Sequence, residues 1–279
     1  MPNKPREPAL TVYCARTGDH NDRAMAGARL LGDALSEKLG LPADIIGQPA
    51  PALNQGWRPD LADAMPALTE LAARIDRLFE CERVPLLVLS RCAAALATLP
   101  VLMRHRPDAC VVWLDAHGDL NTPATSPTGY LGGMALAGPA GLWDSGLGKG
   151  LPLANIILVG ARDLDPAEQA LIDAGAVGLV PASADCAARL RTALAGRPAY
   201  VHIDCDVLAP GIVPTDYRVP GGFTPASLHA VCEVLAASAP VGLEIAEFEN
   251  AWPENGEPAS PAVLLDALGP LLAQLRIPA

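Results

Sequence analysis

The sequence lacks any basic run. Twenty lysines and arginines face 31 aspartates and glutamates over 279 residues, giving a net charge of -11. Nucleic acid and anionic membranes attract positive patches, so neither is an expected partner. No apolar stretch is long enough to cross a bilayer. The segment Met1 to Pro8 is polar and proline-rich, without the apolar region of a signal peptide. There is no CxxC pair among the seven scattered cysteines. An odd, unpaired set argues against a disulfide framework and for a reducing cytoplasm. Neither an internal repeat nor a long linker divides the chain. With 51% hydrophobic residues it can bury a large core, and 1–279 is expected to form one domain.

What the chain has is alternation of strands and helices. Leu10–Cys14, Ala43–Ile46, Val84–Leu89, the run from Val111, Asn155–Val159, Val177–Val180, the run from Ala199 and Val241–Phe248 read as strands. Helices are expected over Arg23–Leu39, Met65–Cys81, a segment after Ser90, a segment after Pro166, Ala182–Leu194, Pro225–Ala237 and Pro261–Leu275. Gly47–Pro59 reads as a loop. This order predicts an α/β fold with a parallel sheet.

Two strands end in unusual chemistry. Val111-Val112-Trp113-Leu114 delivers Asp115, His117 and Asp119 at alternate positions. If the backbone stays extended, these three leave on one side, at the strand end where open α/β sheets bind ligands. Ala199 to Ile203 delivers Asp204 and Asp206 in the same way. One such aspartate is commonly a turn cap. Five ligand-type groups after two buried strands point instead to a site for two divalent ions.

The stretches Asp115-Ala116-His117-Gly118-Asp119-Leu120-Asn121-Thr122-Pro123 and His202-Ile203-Asp204-Cys205-Asp206-Val207-Leu208 resemble two metal motifs of the arginase/agmatinase family. The resemblance runs from about Pro85 to Glu247. It implies a three-layer sandwich around a mainly parallel sheet, and hydrolysis of a guanidino compound with two Mn(2+) ions. It leaves a homo-oligomer open. By the same match, Asp115 and Asp204 are shared by both ions. Asp119 and Cys92 complete one site, and His117 and Asp206 complete the other. Glu247 matches the carboxylate that pairs with the guanidine; Asn121, Thr128 and Asp165 match contacts to the substrate's amino-acid end. Asp165 before Pro166 also reads as a helix N-cap.

Two departures from the family pattern stand out. Cys92 takes the place of the histidine in the first metal motif. It is either a thiolate ligand or a small buried residue beside a weakened site. An inward-turned Arg91 would lower its pKa. Gly132 takes the place of a proton-shuttling histidine and is expected to open space beside the reacting carbon. Both departures, with the run Gly129-Tyr130-Leu131-Gly132-Gly133-Met134, resemble a subgroup that cleaves Nω-hydroxy-L-arginine to hydroxyurea and ornithine in D-cycloserine biosynthesis. The alternatives are an arginase, an agmatinase or a similar guanidino hydrolase, and a non-catalytic metal-binding relative. In a roomy pocket, one added hydroxyl discriminates by about a hundredfold or less, so residual arginine cleavage is expected.

The remaining polar residues carry weaker signals. Asp22 is expected to cap the first helix, with His20 near an active-site mouth. His202 is expected to be a hydrogen-bonded core residue. His105 and His229 suggest no role, and the four tryptophans read as packing residues.

Overall fold

The structure, a computed structural model, describes residues 7–276. Most of the Met1–Pro8 segment lies outside them. Eight strands form one parallel sheet: β1 (Pro8–Tyr13), β2 (Ala43–Ile46), β3 (Val84–Leu89), β4 (Cys110–Leu114), β5 (Ile156–Val159), β6 (Gly178–Val180), β7 (Ala199–Asp204) and β8 (Gly242–Ala246). Their order is β2-β1-β3-β8-β7-β4-β5-β6. Side chains alternate through the sheet and build a core on each face. On one face Leu10, Val12, Val88, Val112, Val201 and Ile245 meet α1 (Arg23–Leu39), α5 (Cys186–Leu194), α6 (Pro225–Ala236), α7 (Ala262–Ala267) and α8 (Gly269–Arg276). On the other, Tyr13, Leu87, Leu89, Trp113 and Tyr200 meet α2 (Trp57–Glu80) and α3 (Ala95–His105). The fold is therefore the expected three-layer α/β sandwich.

Two helices differ from expectation. α2 begins at Trp57, two turns before Met65. Pro59 lies in the first turn, where its missing N–H costs no helical bond. Pro66 lies inside the helix. The buried stripe Leu61, Ala64, Leu68, Leu71, Ile75 and Leu78 outweighs that lost bond. The last expected helix is two, α7 and α8, parted at Leu268. Among the described residues no helix is long and apolar enough to cross a membrane.

Candidate metal centre

Four neighbouring strands, β3, β8, β7 and β4, end at one edge of the sheet. The chain leaving β3 carries Arg91 and Cys92, and the chain leaving β8 carries Glu247. β7 ends on Asp204, and Asp115 follows β4. Strand alternation is not what gathers the ligand-type groups. β4 stops at Leu114, the chain bends, and Asp119 adopts a left-handed φ of 52°. Asp206 lies in a 3-10 turn, Cys205–Val207, whose Asp206 N–H donates to Asp204 Oδ1 at 2.7 Å. Glu247 also has a positive φ, 65°. Non-glycine residues reach this region at a cost that surrounding contacts must hold, as commonly happens at functional sites.

The acids converge. Donor atoms of Cys92, Asp115 and Asp119 lie within 4.8 Å of one another, as do those of Asp115, His117 and Asp206, and those of Cys92, Asp204 and Glu247. Asp115 and Cys92 each belong to two groups, whereas Asp204, also expected to be shared, belongs to one. Asp115 Oδ2 accepts from Trp113 Nε1 at 2.9 Å, and its Oδ1 from the His117 N–H at 2.7 Å. His117 Nδ1 lies 3.2 Å from Asp115 and 3.1 Å from Asp206. Trp113 thus does more than pack: it orients Asp115.

Burial, then the neighbouring Asp115, pushes Asp119 well above the usual carboxylate range. Burial, then Asp206, does the same to Asp204. On Asp115 burial, the largest single effect, is outweighed by the His117 hydrogen bonds and charge together with the His202 charge, and its pKa is lowered. On His117 burial is outweighed by Asp115 and Asp206, which hold its proton firmly. Among the described residues the buried Asp119 carboxylate has no hydrogen-bond partner. Crowded, desolvated carboxylates of this kind fit divalent cations. The oxygen-rich set with one imidazole suits hard or borderline ions, and the thiol is its one soft member.

Cys92 is buried inside this cluster. Its Sγ lies 3.1 Å from Asp204 Oδ2 and 3.1 Å from His202 Nε2. His202 is the expected core residue, stacked on Trp113 at 3.4 Å between centroids. Its Nδ1 meets Glu244 Oε1 at 2.7 Å, which assigns the ring proton to Nδ1. Glu244 also accepts from Thr98 and Tyr200. A chain of buried hydrogen bonds therefore backs Cys92, as outer partners back metal ligands.

Arg91 does turn inward, but it does not lower the thiol pKa. Burial, then Asp204, pushes Cys92 well up. The guanidinium is spent on carboxylates: Nε on Asp19 at 2.9 Å, and Nη1 on Glu247 at 2.6 Å and Asp216 at 3.3 Å. The other Glu247 oxygen accepts the Cys92 N–H at 2.8 Å. Both oxygens of the expected guanidine clamp are already engaged.

A cavity of about 210 Å³ opens onto the cluster. It is lined by Cys92, His117, Asp119, Asp204 and Glu247, and by Asn121, Thr128, Gly132 and Asp165. Asp115 and Asp206 sit behind His117 and are not among its lining residues. Asp165 takes the N-cap position of α4 (Pro166–Asp173), yet its Oδ2 accepts from Asn121 Nδ2 at 2.7 Å. Glu168, unremarked in the sequence, accepts from the Leu120 and Asp165 N–H groups. Its place three residues after Asp165 is the capping-box spacing that signals it. Asp22 stands at the N-cap of α1 but its side chain accepts from Ala52 instead. His20 lies beside the cavity, bonded to Asp216.

Gly132 does not open space. A Cβ built there would lie 2.4 Å from Cε1 of Tyr130. The phenol ring already occupies that volume.

The arginase family model matches residues 59–263. The N(omega)-hydroxy-L-arginine amidinohydrolase of Streptomyces lavendulae is 39% identical over 94% of this chain and 96% of its own. The arginase of Bacillus caldovelox is 29% identical over 70% of this chain and 71% of its own. The crystal structure of arginase from Bacillus cereus, 23% identical, superposes with a TM-score of 0.82 over 96% of this chain and 98% of that one. A shared fold, a sheet edge that gathers metal-ligand chemistry and sequence similarity along nearly the whole chain agree: this protein belongs to the arginase family of hydrolases.

Proposed function

We propose that the protein hydrolyses Nω-hydroxy-L-arginine to hydroxyurea and L-ornithine, using two Mn(2+) ions. The similarity to the Streptomyces lavendulae enzyme carries this reading. Cys92, Asp115, His117, Asp119, Asp204 and Asp206 would hold the ions, which supply a water-derived nucleophile at neutral pH and charge stabilisation. Asn121, Thr128 and Asp165, on the cavity wall, would hold the amino-acid end. The bond broken joins the guanidino carbon to the ornithine nitrogen; water adds a hydroxyl to the carbon and a proton to the leaving amine.

The Arg91–Glu247 pair supports this choice over arginine. A fully protonated guanidinium would meet a carboxylate already neutralised by a buried arginine. Hydroxylation lowers guanidine basicity, so the substrate depends less on a free carboxylate. The test is product identity and the ratio of kcat/KM for the two substrates on Mn-loaded protein. Hydroxyurea with a ratio above unity is expected. A ratio favouring arginine or agmatine rejects the proposal.

A further inference from the structure

We infer that the Tyr130 hydroxyl recognises the distal hydroxyl of the hydroxyguanidine, from the volume that a side chain at position 132 would otherwise fill. The inference rests on the function proposed above. A Cβ at Gly132 would lie 2.4 Å from Tyr130 Cε1, 2.8 Å from Cζ and 3.0 Å from the hydroxyl oxygen. Glycine is therefore what lets the ring lie here. The ring lies tilted against His20, with centroids 4.3 Å apart, and meets Tyr217 at 5.8 Å. Tyr130 lines the same cavity as Cys92, Asp204 and Glu247. Yet its hydroxyl is buried and has no hydrogen-bond partner among the described residues.

Buried tyrosine hydroxyls ordinarily find a partner. One left unpaired on a residue of the cavity wall is placed to find it in the ligand. Burial, then the negative Glu247 nearby, keeps the phenol protonated. The group is thus a hydrogen-bond donor that keeps its proton, unlike the titrating shuttle it displaces. A hydroxyguanidine offers it an oxygen; the plain side chain, protonated as a guanidinium, offers only N–H groups, which cannot accept. Binding the plain guanidine leaves the tyrosine donor unpaired. Sites built to bond a substrate hydroxyl reject the analogue without it by about 10⁴–10⁵, far beyond the roughly hundredfold of a merely roomy pocket. Residual arginine cleavage is then much weaker than space alone implies.

The test is Tyr130→Phe, which keeps the ring and its ring contacts. kcat/KM for hydroxyarginine and for arginine is measured on the Mn-loaded full chain, with the thermal midpoint alongside. We expect hydroxyarginine to lose about a hundredfold or more and arginine to change by less than about threefold. The midpoint should hold or rise, because an unpaired buried hydroxyl has been removed. A structural role would instead lower the midpoint and both rates. Unchanged hydroxyarginine kinetics overturns the inference, and so does equal loss of both substrates. Parent enzyme that forms no hydroxyurea overturns the functional reading and this inference with it. Parent enzyme that forms it beside an unaffected variant overturns this inference alone.

Discussion

The two walls of the cavity solve the problem of buried charge in opposite ways. The wall built from β4 and β7 crowds Asp115 and Asp206 against His117, and Asp119 and Asp204 against Cys92. Among the described residues no arginine or lysine pairs with them, and Asp119 and Asp204 are driven towards protonation. The wall built from β3 and β8 brings its own cation, Arg91, caged by Asp19, Asp216 and Glu247. One wall is complete only with added cations; the other is complete already. Desolvation is costly for both, but only the first leaves that cost for a ligand to offset.

The largest expected effect breaks the first wall. Asp115→Ala and Asp204→Ala each remove a carboxylate from the centre of the acid cluster. Each should abolish turnover, a loss beyond the roughly 10–100-fold typical of changes to outer partners. Mn-dependent kinetics on folded variants checks this, and either variant retaining a tenth of parental activity would remove that residue from the metal set.

The second effect breaks the other wall. Arg91→Ala leaves three carboxylates without their buried cation, which should destabilise the chain by about 3–5 kcal/mol. Asp119→Ala should do the reverse to metal-free protein, because it relieves crowding. Denaturant unfolding of both variants under chelation tests the contrast. Two losses of similar size would show that the walls do not differ.

These walls were not equally legible. Asp115, His117, Asp119, Asp204 and Asp206 announce themselves by residue type and spacing, and Cys92 by its register in a recognisable motif. Strand alternation does not account for their convergence, because Asp119 takes a left-handed conformation that turns the chain. The cage around Arg91 joins residues 72 and 156 positions apart in sequence, Asp19 and Glu247, and no local pattern marks such a pair. The surroundings of Gly132 escape the sequence for a related reason. A missing side chain reads as space, and only the fold shows the neighbouring ring that takes it. Pro59 and Pro66 concealed the start of α2, since proline is a breaker in general yet tolerable in a first turn and, at a cost, inside a well-packed helix.

A third prediction compares the walls through pH. Burial raises Glu247 from 4.5 to about 7 despite Arg91, and Asp119 and Asp204 shift the same way. A carboxylate whose folded pKa is raised contributes stability that is complete below its unfolded pKa and lost as pH rises through its folded one. Metal-free protein should therefore lose thermal stability as pH climbs from 4.5 to about 7. Mn binding needs Asp119, Asp204 and His117 deprotonated, so the midpoint gained on adding Mn should grow as pH rises. A gain that is flat with pH would mean that protons and metal do not compete here.

The smallest and finest test is Cys92→His, at the seam between the walls. Imidazole suits Mn better than thiolate does, so the variant should retain Mn closer to two ions per chain after dialysis. The structure adds an opposing effect. Cys92 borders the cavity on one side, but its Sγ lies 3.1 Å from both His202 Nε2 and Asp204 Oδ2. A larger ring in the thiol's place presses on His202, which is fixed from behind by Glu244. Overpacking of this kind costs about 1–3 kcal/mol. The metal-free variant should therefore melt lower than the parent while holding Mn more tightly. Elemental analysis and thermal midpoints with and without Mn separate the two terms. Lower stability with no gain in Mn would leave Cys92 as a packing residue outside the coordination shell, with the metal site formed by the carboxylates and His117 alone.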